Sequence, residues 1–226
     1  MIRRIVRQKL SRLWWAFRNQ VDHITWSFFV WGRQSQPPQV PQGRIVLAGR
    51  GDGAIAERMA VLRGDSVDRY RGWLTGGHWV LYAVGPDEEI QSWIWFTVAE
   101  GGPQIAPFDF GIGMKVPAGT GFLWDAFTVP AYRQQGLYKT LLMQSVEECF
   151  ARGARQVWGH AKVTNRSRRV ILTTDLAGEI TVQATRIGPF CRISRPGFHR
   201  MMSVRGVLEM DALLPSVATK AGQPAS

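Results

Sequence analysis

Cysteine is scarce in this chain. Cys149 and Cys191 are the only two in 226 residues, too few and too far apart for a metal cluster or a disulfide framework, and a reducing compartment fits. The four histidines, His23, His78, His160 and His199, have no ligand spacing, so no metal site is expected. No run of ~20 uncharged apolar residues is present to span a bilayer. Nor does the N-terminus read as a secretory signal, because Lys9, Arg12, Arg18 and Asp22 interrupt any apolar stretch. No internal repeat occurs. Acidic residues are in the minority, with 17 Asp and Glu against 28 Lys and Arg and a net charge of +11. That balance favours acidic partners: nucleic acid, anionic lipid, a nucleotide-bearing cofactor or an acidic carrier protein. Zinc spacing, an RNP motif and a well-formed helix-turn-helix are all missing, so nucleic acid is supported by charge alone and is not expected.

What is present is a well-filled core. Hydrophobic residues make up 45% of the chain, with ten tryptophans and eleven phenylalanines, enough for one domain with extensions. Residues 1–34 form a basic amphipathic segment. Ile2, Ile5, Val6, Leu10, Leu13, Trp14, Phe17, Val21, Ile24 and Phe28 recur at helical spacing, opposite Arg3, Arg4, Arg7, Lys9, Arg12 and Arg18. A helix over residues 1–31 of this kind suits either the surface of an anionic membrane or packing on its own domain or a second subunit of a homodimer. The stretch 26–31 also reads as a first strand. Residues 35–43, rich in proline and glutamine, are a linker, residues 44–212 the main domain, and 213–226 a tail with little that can pack.

Within the domain, 44–48, 79–84 and 90–98 read as strands, the last two joined by the turn-forming Gly85-Pro-Asp-Glu-Glu89, and 55–64 as a helix. The segment 101–121, with six glycines and three prolines, reads as one long loop, and 180–184 and 189–194 as a closing hairpin. Antiparallel strands feeding a strand–helix–strand unit give an α/β class of mixed α+β character: a central, mostly antiparallel mixed sheet flanked by helices, preceded by the amphipathic helical extension.

The most informative stretch is Val129-Pro-Ala-Tyr-Arg-Gln-Gln-Gly-Leu-Tyr-Lys-Thr140, between a buried-strand pattern at 121–129 and a helix pattern that begins at Gly136. Free amides and the positive end of a helix dipole favour phosphate there, and Gly136 removes the side chain that would block close approach. Arg133-Gln-Gln-Gly136-Leu-Tyr138 resembles the acyl-CoA loop of the GNAT acyltransferase superfamily, Q/R-x-x-G-x-G/A, with Tyr138 where that pattern has a small residue. The order that follows resembles the same family's core: a strand at 156–163, the turn Thr164-Asn165-Arg166-Ser167, and a helix over 168–176.

The resemblance implies an acyl-CoA-dependent acyltransferase, most simply an N-acetyltransferase using acetyl-CoA or another acyl-CoA as co-substrate, acting on a small-molecule or polymer-linked amine. Main-chain groups of Phe127, Thr128 and Val129 would meet the pantetheine arm. Arg133, Gln135, Gly136, Leu137, Tyr138, Lys139 and Thr140 would surround the diphosphate, Tyr138 narrowing the space there, and Asn165 would touch the cofactor arm or cap the next helix. An attacking ammonium must lose a proton, and Asp125, which interrupts an apolar strand four residues before Val129, is the leading base, ahead of Glu100 and Asp109. The tyrosine that protonates the leaving thiolate in many relatives has no counterpart after Asn165, so that role is unfilled or falls to water; Tyr138 and His160 are only distant substitutes. An acyl carrier protein is a second donor suited to a basic surface. The alternative function is a catalytically inactive GNAT-like binding module at a membrane surface or partner protein. A cytoplasmic location is expected, in keeping with the cysteine usage, with the inner face of the membrane as the alternative that the N-terminal segment offers.

Overall fold

The computed structural model describes residues 21–32, 44–49, 51–203 and 205–214. Its strands are β1 (Val21–Trp31), β2 (Arg44–Ala48), β3 (Trp79–Val84), β4 (Ile90–Val98), β5 (Gln104–Pro107), β6 (Gly113–Val116), β7 (Thr120–Thr128), β8 (Gln156–Lys162), β9 (Gly178–Ile187), β10 (Phe190–Arg195), β11 (Phe198–Ser203) and β12 (Val207–Glu209). Its helices are α1 (Gly53–Arg63), α2 (Val67–Thr75), α3 (Leu137–Ala151), α4 (Arg166–Ile171) and α5 (Met210–Leu213).

Nine strands form one sheet in the order β11-β10-β9-β1-β8-β7-β4-β3-β2, and β5, β6 and β12 form a second. Every neighbour in the large sheet is antiparallel except β7 and β8. A parallel neighbour demands a crossover, and α3 supplies it. Both faces of the sheet are covered in its middle, so β4 is apolar on both sides rather than alternating. Trp93 and Trp95 enter the core shared with α1, α2 and the small sheet, while Ile94, Phe96 and Val98 enter the core shared with α3. The covering helices follow the spacing that one buried face requires: Ile55, Ala56, Met59 and Ala60 on α1, Tyr70, Trp73 and Leu74 on α2.

Several sequence expectations are corrected. Residues 21–31 are a strand, not part of a helix, and β1 lies between β8 and β9 in the middle of the sheet. The folded body therefore includes these residues and does not begin at 44. Trp26, Phe28 and Val30 point to one core and Phe29 and Trp31 to the other, a two-residue alternation that also satisfies a helical count over so short a run. The helix expected over 1–20, the linker at 35–43 and the tail from 215 lie outside the described residues, but Leu213 and Leu214, placed in that tail, are buried in the core, so the folded body runs on to 214. The stretch 101–121 is not one loop, since β5 and β6 pair antiparallel inside it and β12 adds in parallel. The last hairpin is a three-stranded meander of β9, β10 and β11. The helix after Asn165 is shorter and earlier than expected, at Arg166–Ile171, and α2 was not foreseen.

Candidate active site

The parallel pair that α3 connects does not stay paired. β7 and β8 are in register from Thr120↔Gln156 to Leu123↔Gly159 and then part, although β7 runs on to Thr128 and β8 to Lys162. Beyond the parting, β8 keeps its other neighbour, with His160 opposite Phe28 and Lys162 opposite Trp26. A split therefore opens between the C-terminal halves of the two strands.

Its β7 wall is bent by a bulge. Trp95 pairs with Trp124 and Trp93 with Phe127, so Ile94 alone faces Asp125 and Ala126, and Asp125 takes the left-handed backbone at φ 45°. An aspartate tolerates that conformation better than most side chains.

Main-chain polarity past the bulge is specific. The Val129 amide donates to Gln91 O at 2.9 Å and the Val129 carbonyl accepts from Tyr132 N at 2.9 Å. By the alternation of an antiparallel ladder, Phe127 also faces β4, and only Thr128 turns its N–H and C=O into the split. Of the three residues expected to meet a pantetheine arm, Thr128 alone offers free main chain, and its carbonyl already accepts from Arg133 Nε at 3.1 Å.

At the open end of β7, Pro130–Tyr132 make one 3-10 turn, Gln134 and Gly136 adopt left-handed backbone at φ 67° and 79°, and α3 begins at Leu137. The left-handed residues reverse the chain so that successive amides point outward. Thr140 N bonds Gly136 O at 3.1 Å, whereas the six amides from Gln134 to Lys139 find no acceptor among the described residues. A Cβ added at Gly136 would meet nothing within 4 Å, so the space before these amides is open. Six adjacent unpaired donors at a helix N-terminus form a site for an anion.

The side chains expected around it divide. Arg133, Gln135 and Lys139 are exposed at the loop, Lys139 Nζ lying 3.5 Å from Thr173 O on the segment after α4. Leu137 and Thr140 are buried, and the Thr140 hydroxyl bonds Gly136 O at 3.4 Å, so it is not the free donor expected there. The Tyr138 ring packs onto the core beneath α3, with its hydroxyl against Ser167. The ring is thus taken up by the core, and burial raises its hydroxyl above the ordinary value. Asn165 caps α4, its Oδ1 accepting from Ser167 N at 3.2 Å.

Asp125 projects from the bulge toward α1. One guanidinium nitrogen of Arg63 lies 2.6 Å and 2.7 Å from its two oxygens, and the carboxylate side chain is only 13% exposed. Burial pushes this carboxyl above its ordinary value, and Arg63 opposes that rise. The Tyr70 hydroxyl, buried without a hydrogen-bond partner, stands near the pair and is pushed up to about 12, chiefly by burial and next by Asp125. Arg63 also rests over the Phe127 ring at 5.5 Å. Arg63 and Tyr70 were missed from the sequence because nothing local in α1 or α2 announces a partner 62 residues away. Glu100 lies past Val98, at the opposite end of the sheet from the loop, beside Arg152 at 3.7 Å. Asp109 accepts from Trp26 Nε1 at 2.7 Å and sits 3.9 Å from Lys162. Among the described residues no group of three His, Cys, Asp or Glu is placed to hold a metal ion.

The profile of the acetyltransferase (GNAT) family matches residues 56–171, which is 116 of the 226 and just over half the chain. The match runs from α1 to the end of α4 and so contains the bulge, the split and the loop. Among solved structures, a Drosophila protein superposes with a TM-score of 0.52 at 15% identity, over 75% of this chain and 52% of its own. A GNAT-family protein from Novosphingobium aromaticivorans superposes with a TM-score of 0.51 at 16% identity, over 74% of this chain and 66% of its own. The chain thus spans about half to two thirds of those molecules, and at such identities the likeness concerns the fold. No curated protein matches this sequence. On the extent of the profile match, the chain belongs to the GNAT acetyltransferase family.

Proposed function

We propose that this protein is an acyl-CoA-dependent N-acyltransferase that moves an acyl group, in the simplest case acetyl, to an amine. The observation that carries the reading is the run of unpaired amides from Gln134 to Lys139, in line with the split between β7 and β8. Those amides, with Arg133 and Lys139 beside them, grip a diphosphate. Thr128 guides the arm into the split, which leaves the thioester near the bulge. Holding the donor there while an amine approaches supplies most of the acceleration, since the reaction becomes effectively unimolecular. Asp125, on the wall facing α1 and α2, takes the proton that an arriving ammonium must lose, and Arg63 fixes the carboxylate's orientation.

Thermal-shift titration with CoA and acetyl-CoA tests this. Both should raise the melting temperature of the wild type, and Gly136→Glu, which places bulk and negative charge before the amides, should abolish most of the rise. Equal shifts in wild type and G136E would move the donor site elsewhere, and no shift in either would overturn the acyl-CoA reading in favour of a catalytically inactive binding module.

A further inference from the structure

The meander of β9, β10 and β11 has one face that the core does not use. β10 buries Cys191 and Ile193, both 0% exposed, so Phe190 and Arg192 stand on the opposite face of the sheet. On β11, Met201 lies directly opposite Arg192, and Ser203 opposite Phe190. Phe190 is 54% exposed and Met201 59%, which leaves two large apolar side chains in solvent with an arginine beside each of them.

The charge of this region has one sign. From Ile180 to Leu208 there are five arginines and no Asp or Glu. Several arginines elsewhere are held by carboxylates, as Arg63 is by Asp125 and Arg168 by Glu179. Arg192 and Arg200 have no acidic partner among the described residues. A free guanidinium between exposed apolar side chains suits an anionic lipid surface, which offers phosphates above and hydrocarbon below. It does not suit a nucleic acid, because stacked bases need several rings and Phe190 is the only phenyl, phenol or indole ring on this face of the meander.

Placement adds a second argument. Ile187 is registered with both Val21 and Phe190, so the turn Gly188-Pro189 lies at the end of the sheet where β1 begins and the basic segment 1–20 joins. β8 runs antiparallel to β1, with Lys162 opposite Trp26, so this is also the end at which the split opens.

We propose that the β9–β10 hairpin and the neighbouring Met201 seat on an anionic bilayer together with the segment 1–20, which brings the open end of the split to the membrane surface. Phe190 and Met201 enter the boundary between headgroups and acyl chains, and Arg192 stays at the lipid phosphates. Each contact alone is weak, so both are required. The face lies outside residues 56–171 and does not depend on the acyl-CoA reading.

The test uses the full chain and vesicles of equal parts phosphatidylserine and phosphatidylcholine. The wild type should sediment with them and stay in solution with phosphatidylcholine alone. Phe190→Ser combined with Met201→Ser, and Arg192→Glu by itself, should each weaken binding roughly tenfold. CoA affinity and the urea midpoint should not change, because all three side chains are exposed. Should the double variant not fold, R192E decides. Contact itself is read by an environment-sensitive dye on Phe190→Cys, which is labelled selectively since Cys149 and Cys191 are buried. Its emission should shift to the blue on adding the mixed vesicles. The same dye on Ala118→Cys, exposed just before β7 begins and so at the other end of the sheet, should not respond. The proposal is overturned if the wild type does not sediment, which would leave the face to an acidic protein. It is equally overturned if the double variant and R192E bind as the wild type does, or if the dye at 190 is silent while the full chain sediments, which would leave 1–20 as the sole anchor.

Discussion

A single guanidinium nitrogen of Arg63 is shared between both carboxylate oxygens of Asp125, at 2.6 Å and 2.7 Å, and joins the last residue of α1 to the bulge of β7. The pair fixes where the carboxylate points and limits its exposure. Asp125→Asn keeps a residue that accepts left-handed backbone, so the fold should stand. Transfer to amines, followed as CoA thiol release, should fall roughly 10²–10⁴-fold, with CoA affinity unchanged. Arg63→Ala leaves the carboxylate buried and unpaired, and should cost about 2–3 kcal/mol, below the loss for a fully buried pair because Arg63 keeps 30% exposure. D125N with wild-type turnover would remove Asp125 from the chemistry and leave it a structural partner of Arg63.

Stability should fall on mild acidification. His78 is buried, bonded to Thr97 Oγ1 at 2.8 Å, and burial holds it down at about 4 against 6.5 in an unfolded chain. Its folded value lies below its unfolded value, so between the two the unfolded state binds more protons. The contribution is fully present above 6.5 and is lost as pH falls toward 4, to about 3 kcal/mol in all. His160 acts in the same direction. Asp125, whose folded value is raised by burial, works in the opposite sense. Urea midpoints at pH 7.5 and pH 5.5 should therefore differ, with the lower value at pH 5.5. Equal midpoints would mean that both imidazoles titrate normally in the folded protein.

Close approach of β7 to α3 yields a third test. A Cβ on Gly121 would lie 2.9 Å from both Cβ and Sγ of Cys149, which is fully buried. Gly121→Ala must push the helix away from the strand and should destabilise by roughly 1–3 kcal/mol. Because α3 carries the amides at its N-terminus, CoA affinity should fall with it. A G121A protein with the wild-type urea midpoint would contradict this packing.

The site was legible where its chemistry is local. The strand at 120–128, the left-handed Gly136 and the helix from Leu137 stand in one stretch, each with a sequence signature. Pairings across the fold were not. Arg63 with Asp125 and Trp26 with Asp109 join residues 62 and 83 positions apart, and the position of His160 just past the last pairing of β7 with β8 depends on where two strands part. The glycines and prolines at 101–121 concealed β5 and β6, since short strands that pair across tight turns leave little periodicity to read. In β1 both faces are apolar, which removes the alternation that separates a strand from a helix.

The place of β1 also decides how the proposed membrane contact of the basic N-terminal segment can be tested. Trp26, Phe28, Phe29 and Trp31 are each 0% exposed, and β1 alone links β9, and through it β10 and β11, to β8. Deleting residues 1–31 would uncover both cores, at about 1.5–3 kcal/mol for each large side chain, and should yield no folded protein. Removal of 1–20 alone keeps every described strand of the sheet, so that variant should unfold cooperatively and bind CoA as the wild type does. If the segment holds the protein to anionic lipid, the 1–20 deletion should no longer sediment with phosphatidylserine vesicles while the full chain does, and the difference should shrink as salt is raised. Equal sedimentation of the two would end the membrane proposal, and a folded protein lacking 1–31 would show that β1 is dispensable to the sheet.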